Sequence, residues 1–145
     1  MKKELIGTVE KLYIKKDKKR TNKDFIIVDK LGVKNDKFYN KDINRSVLLT
    51  SISSYKLAKK HNINIKYGLL DENILISCDI YNYNIKTQII IGEVILQISQ
   101  NCTICDHLNK IDEKLPELLK KDRGIFVKVI KDGIIKKNDK VFLLN

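Results

Sequence analysis

Thr87-Gln88-Ile89-Ile90-Ile91-Gly92-Glu93-Val94-Ile95-Leu96-Gln97-Ile98-Ser99 is the stretch that decides the fold class. Ile89, Ile90 and Ile91 run together, the pattern breaks at Gly92-Glu93, and then Val94, Leu96 and Ile98 alternate with polar Gln97 and Ser99. β-branched side chains are stiff and pack well on a pleated surface. A period of two puts one set of side chains on a buried face, so the stretch predicts a β-hairpin. Working outward, the same signal recurs in short runs. Towards the C-terminus come Ile125 to Ile130, Ile134-Ile135 and Val141 to Leu144, with Lys131-Asp132-Gly133 reading as a hairpin turn. Towards the N-terminus come Ile74-Leu75-Ile76, Ser46 to Thr50 and Phe25 to Val28. The first run, Leu5 to Ile14, carries Gly7 inside it and predicts a strand with a bend or bulge. Between these runs, Lys15 to Asp24 reads as a charged loop, and Gly32 to Asn44 as a long turn-rich loop of the kind that tends to carry function. Helical spacing occurs at Ile52, Tyr55 and Ala58, with Ser51 or Ser53 as a cap, and in a short segment around Pro116. The sum predicts a mainly-β barrel or sandwich with one or two short helical insertions.

The 145 residues fit one domain, 1–145. The 43% apolar fraction is enough for a core. One Pro and six Gly exclude a collagen-like or Pro-rich linker protein. No apolar run approaches the roughly 18–20 residues of a membrane span. Glu4, Thr8 and Glu10 interrupt any signal-peptide core after Met1-Lys2-Lys3, so a cytoplasmic protein with no membrane partner is expected. Three cysteines then fit a reducing compartment, where thiols stay reduced unless they work or bind metal. The formal charge is +11, from 29 Lys and Arg against 18 Asp and Glu. Lysine supplies nearly all of it and is spread from Lys2 to Lys140, which suits a solvated surface as well as a basic groove. Arginine occurs only at Arg20, Arg45 and Arg123. Against that lysine background, an arginine can mark a place that needs a planar multi-donor fork for an oxyanion.

Four constellations could carry chemistry. Cys102-x-x-Cys105-x-His107 is the densest. It could supply part of a zinc site, a redox dithiol, one working thiolate, or simply two small half-buried side chains. Against zinc, Cys78 and His61 are distant in sequence and no second Cys-x-x-Cys occurs. His107 alone reads as a surface or boundary residue rather than a ligand. The second is Gly32 to Asp36 with Arg45-Ser46-Val47, where Asp36 could cap loop N–H groups or orient a base and Arg45 enters a strand. The third is Gly68-Leu69-Leu70-Asp71-Glu72-Asn73, in which Asn73 could read a heterocycle edge. The fourth is Arg123-Gly124-Ile125, where glycine lets backbone approach closely beside a guanidinium. Each alone is also ordinary turn chemistry.

In this order the pieces resemble the MOSC family, the domain found at the C-terminus of molybdenum-cofactor sulfurases and in small stand-alone bacterial proteins. The family's Gly-x-Val strand corresponds to Gly7-Thr8-Val9, and its Gly-x-x-Gly-Asp loop leading to Arg-x-Val to Gly32–Asp36 and Arg45–Val47. Its Gly-x-x-x-Glu-Asn-hydrophobic motif matches Gly68–Ile74, and the following turn matches Ile91-Gly92. Cys102 stands at the signature cysteine, and Arg123-Gly124-Ile125 and Gly133–Val141 close the pattern. Asn35 and Asn138 replace family glycines, mild changes because Asn tolerates the left-handed region, and Asn101 replaces a frequent Pro before the cysteine.

The resemblance implies a β-barrel and a role with the molybdenum cofactor, with Cys102 as metal ligand or sulfur carrier and Cys105 as a lesser candidate. It implies that Arg45 and Arg123 hold the phosphate or pterin side of molybdopterin and that Asn73 and Asp36 belong to the same binding site. Three functions compete: a cofactor-binding or sulfur-carrying module with a cofactor-acceptor protein; a molybdenum-dependent reductase of N-hydroxylated compounds served by an electron-donor protein; and a basic nucleic-acid-binding module. The last is disfavoured, because six Tyr and four Phe form no clustered stacking platform. Pyridoxal phosphate belongs to a separate, larger domain in full-length sulfurases and is not expected on this chain.

Overall fold

The computed structural model describes residues 2–102 and 106–144. Among these, eleven strands are formed: β1 (Lys3–Lys16), β2 (Lys19–Lys23), β3 (Phe25–Asp29), β4 (Gly32–Val33), β5 (Val47–Ser51), β6 (Ile74–Ile76), β7 (Gln88–Ile91), β8 (Val94–Asn101), β9 (Ile125–Lys131), β10 (Gly133–Lys136) and β11 (Lys140–Leu144). Three short helices join them: α1 (Ile52–Lys60), α2 (Asp106–Ile111) and α3 (Leu115–Leu118). A 3-10 turn spans Ile43–Arg45.

Seven of the described strands close into a barrel in the order β11-β7-β8-β9-β5-β6-β1, the ring sealed by β1 pairing with β11. All of these pairs are antiparallel except β5 with β6. Closure removes the open edges that would otherwise recruit other chains. β1 can serve three partners because it is irregular where the sequence carries Gly7: its register shifts between Leu5 and Gly7, and again between Val9 and Lys11. It pairs in turn with β11, β6 and β2.

The deciding hairpin forms as read, with Ile91 opposite Val94. The core inside the barrel is made by its alternating residues with those of neighbouring strands, among them Val9, Leu49, Ile74, Ile89, Leu96 and Val127. A three-stranded sheet, β10-β3-β4, lays Ile26, Val28 and Ile135 on the same core. A second cluster packs the helices outside: Tyr55 and Ala58 of α1, Leu108 of α2 and Leu115 of α3 close over Leu70 and Leu75. β6 is therefore buried on both faces, with Ile74 and Ile76 turned to one cluster and Leu75 to the other.

Ser51 caps α1, its hydroxyl accepting from the Ser53 N–H at 3.0 Å. Two expectations are corrected. Lys15 to Asp24 is not a loop: the end of β1 and β2 form a hairpin around Asp17, which takes φ 52°. Its side chains are mostly polar and solvated, so no alternation of hydrophobicity marks it. The turn at Lys131-Asp132-Gly133 does not fold β10 back onto β9. β10 crosses to β3, pairing Ile134 with Ile27 and Ile135 with Ile26, which puts Ile135 into the core.

Candidate functional site

The Gly32–Arg45 loop, the Gly68–Asn73 turn, the end of β8 and the Arg123–Phe126 segment surround one cavity of about 300 Å³. Cys102, Arg45, Asn73, Arg123 and Asp36 all line it. These five residues come from four separate segments, so their meeting is a product of the fold. The buried liners Asp36, Ser46, Leu48, Glu72, Asn73, Cys102 and Arg123 make its floor, and the exposed Phe38, Lys41, Asp42 and Arg45 its rim.

Cys102 follows β8, whose register shifts between Ile98 and Gln100. An irregularity beside a site re-aims the side chains that follow it. Cys102 is 7% exposed, and its N–H donates to the Gly124 carbonyl at 3.0 Å. Gly124 has no room for a side chain: a Cβ would lie 2.9 Å from Thr50 Oγ1 and 3.1 Å from the Leu49 carbonyl oxygen. The absence of that atom lets the Arg123 segment pack directly on β5. Thr50 Oγ1 also donates to the Arg123 carbonyl at 3.1 Å, and Ser54 Oγ donates to the Asp122 carbonyl. The Arg123 side chain, 3% exposed, donates from Nη2 to the Leu70 carbonyl at 3.4 Å and lies 3.8 Å from Asp71 Oδ2. Cys102 and Arg123 are thus held by the same few atoms of backbone.

Asp36 and Asn73 brace the floor. Asp36 accepts from the N–H groups of Lys15 and Phe38 at 2.8 and 3.0 Å, and from Asn73 Nδ2 at 3.1 Å. Asn73 in turn accepts from the Leu48 N–H at 3.1 Å and donates to the Tyr13 carbonyl at 3.3 Å. The Asn73 amide thus spends both its N–H donors and one acceptor position on the protein and braces the floor. Next to it Glu72 is buried and accepts the Tyr55 hydroxyl at 2.7–2.8 Å and the Gly68 N–H at 3.1 Å. Tyr55 in its turn accepts from the N–H groups of Gly68 and Leu70. Burial pushes the Glu72 carboxyl above its ordinary pKa, with the Tyr55 and Gly68 donors opposing that rise. This lock fixes a turn in which Gly68 takes φ 94° and Asp71 φ 68°.

At the rim, Arg45 ends the 3-10 turn, whose cap is Asp42, and its guanidinium lies 4.9 Å above the Phe126 ring. Asn35 and Asn138 both take left-handed backbone, at φ 71° and φ 75°.

Sequence reasoning missed Lys15, Arg20, Phe38 and Phe126, and read Asp71 only as a turn acid. Asp71 is the hub: Lys15 Nζ lies 3.2 Å away, Arg20 is ion-paired to it, and His107 Nε2 lies 3.7 Å away. The scarcity of arginine was the available signal for Arg20. His107 sits half-buried at that boundary, within 3.0 Å of the Leu69 carbonyl oxygen. Cys105 lies outside the described residues, and among these no cluster of three or more His, Cys, Asp or Glu could hold a metal ion by itself.

A seven-stranded barrel with a thiol and two arginines at one cavity defines the class, and the family follows. Residues 29–142 match the MOSC domain, and the chain belongs to the MOSC family. The fold is shared with the YuaD protein of Bacillus subtilis at 17% identity and TM-score 0.86, covering 98% of this chain and 97% of that one. It is also shared with YiiM of Escherichia coli at 16% identity and TM-score 0.72, covering 95% and 70%. YiiM of Geobacillus stearothermophilus is similar at 13% identity and TM-score 0.67, covering 99% and 76%. No curated protein matches the sequence at a significant level. Among the described residues no helix is long and apolar enough to cross a membrane.

Proposed function

We propose that the cavity binds the molybdenum cofactor, with Cys102 as the residue that ligates the metal or carries sulfur. The observation that supports this reading is the convergence of Cys102, Arg123 and Arg45 on one cavity. The donor set fits the group. A thiolate is a soft ligand suited to a metal already held by dithiolene sulfur. Guanidinium forks match a phosphate or a polar heterocycle edge. Bound there, the cofactor would supply redox chemistry at molybdenum or a labile sulfur. The chain's own residues do the rest: Arg123 and Arg45 hold the ligand's polar parts, Asp36 and Asn73 keep the floor in shape, and the buried liners exclude water. If the site performs a reduction, the electrons come from a partner protein.

The test is Cys102→Ala on protein made in a cofactor-competent host, with molybdenum measured by mass spectrometry. Wild-type protein is expected to carry molybdenum and the variant to fall to background; equal content in the two overturns the assignment of Cys102 as ligand.

A further inference from the structure

The ring of strands has two kinds of outer surface. Over β6 the helices close down, and Leu75 is buried beneath them. On the arc β11-β7-β8-β9 the outward side chains stay half-buried or exposed. The register lines four apolar residues into one row across that wall. Leu5 of β1 stands opposite Phe142 of β11, Phe142 opposite Ile90 of β7, and Ile90 opposite Ile95 of β8. Directly opposed residues share a face, so the row crosses four strands, roughly 15 Å at the usual interstrand spacing. Leu5 is 55% exposed, and Phe142, Ile90 and Ile95 are half-buried. Single apolar side chains on a surface are ordinary, but a contiguous row with a charged border has the anatomy of an interaction site.

The border is basic at both ends. Lys3 and Lys140 flank the row on β1 and β11, with the Lys3 ammonium 4.5 Å from the centre of the Phe142 ring. Lys128 and Lys131 flank it on β9, opposite Gln97 and Ile95. Acids in the adjoining sequence are turned elsewhere. Glu4 stands opposite Leu143, on the other face of β1. The Glu93 side chain lies against Gly133, and Asp139 accepts the Lys136 N–H at 2.8 Å. The wall is also continuous with the cavity. Phe126, two residues before Lys128 and so on the same face of β9, lines the cavity beneath Arg45.

Charge selects the occupant. A second copy would set the same lysines, and a net charge of +11, against themselves. Binding to a lipid surface sinks apolar side chains about 5–10 Å into the headgroup boundary, and of this row only Leu5 stands clear of the wall. A protein face with carboxylates around an apolar centre satisfies both the row and its border. We propose that the β11-β7-β8-β9 wall, with Leu5, is the docking surface for an acidic protein partner, which it seats beside the mouth of the cavity. The proposal rests on the cofactor reading only for what that partner delivers or collects.

The experiment places the photo-crosslinking residue p-benzoylphenylalanine at Leu5 or at Gln97 of the full chain, produced in the organism that encodes it. Lys120, an exposed position beyond α3, is the control site. Adducts are identified by mass spectrometry. Leu5 and Gln97 are expected to trap the same protein, one with a net negative charge, and Lys120 not to trap it. Lys3→Glu, Lys128→Glu and Lys131→Glu combined are expected to cut that adduct about tenfold through like-charge repulsion, in protein whose circular dichroism matches wild type. If the triple variant does not fold, Lys128→Glu alone, with a several-fold loss, decides the matter. Binding of the purified chain to phosphatidylglycerol vesicles and its sedimentation measure the two rival occupants. The proposal is overturned if the two wall sites share no adduct, if the adduct is a second copy or a protein without excess acid, if it survives charge reversal, or if vesicle binding depends on Leu5. Cys102→Ala is expected to leave the adduct intact, so a failure of the docking surface and a failure of the Cys102 assignment are read separately.

Discussion

At the floor of the cavity Arg123 is 3% exposed, its backbone carbonyl takes the Thr50 hydroxyl, and its neighbour Gly124 receives the Cys102 N–H. At the rim Arg45 stands exposed, with the Phe126 ring beneath its guanidinium. The two arginines serve the same cavity under different constraints. The floor is continuous with the barrel and the helical cluster, so a change there is felt as stability first and binding second. The rim side chains are exposed, so a change there is felt as binding more than as stability. Position within one site thus decides which measurement a mutation moves.

The sharpest break in this comparison is Tyr55→Phe. It removes the hydroxyl that serves Glu72, Gly68 and Leu70, leaving buried groups without their partner. A loss of about 2–3 kcal/mol is expected, read as a fall in Tm of roughly 4–12 °C for a chain of this size. Gly124→Ala comes next. The added Cβ meets Thr50 Oγ1 and the Leu49 carbonyl oxygen, and overpacking of this kind costs about 1–3 kcal/mol. It is also expected to shift Cys102 and Arg123 together, lowering molybdenum content in protein that still folds. Both outcomes are checked by calorimetric melting alongside metal analysis.

A smaller effect separates the floor by pH. Burial raises the Glu72 carboxyl above its ordinary value of 4.5. The folded state therefore holds that proton more tightly than the unfolded chain. Its contribution favours the fold below pH 4.5 and is lost as pH rises past that point towards the raised folded value. Glu72→Gln cannot ionise, so its urea-unfolding free energy is expected to fall less than that of wild type as pH rises through this window. Equal slopes would show that the carboxylate is fully compensated by its donors. The smallest effect belongs to the rim: Arg45→Met should change stability by no more than about 0.5 kcal/mol, while weakening ligand retention. A large fall in Tm for this variant would erase the distinction between floor and rim.

What could be read from residues alone follows the same division. The Ile89–Ile98 hairpin, the Ser51 cap and the left-handed positions at Asn35 and Asn138 are local, and the structure bears each of them out. The meeting of Cys102, Arg45, Asn73, Arg123 and Asp36 was legible only as an ordered set of motifs, since no pairwise spacing places four segments at one cavity. The Lys15–Arg20 hairpin was not legible: its pairing is carried by backbone while its side chains stay polar, so hydrophobic period is silent there. The same holds for β10. A turn signal says that the chain bends, but the choice between β9 and β3 is made by where Ile135 can be buried. The bracing contacts of Asn73 were not legible, because an amide in a loop has the same chemistry whether it faces a ligand or its own backbone. Only the distances to Leu48 and Tyr13 separate the two.

The seam between β1 and β11 has a consequence for how the protein is made. Because β11 pairs with both β1 and β7, a ribosome must deliver Lys140–Leu144 before the ring can close. Until then the nascent chain presents two unpaired edges, β1 and the β7 strand of its most isoleucine-rich hairpin, a species prone to intermolecular pairing. Contacts that join opposite ends of a sequence also form slowly. Chaperone supply while β11 is still missing should therefore govern the yield of folded protein more than any property of the finished cavity.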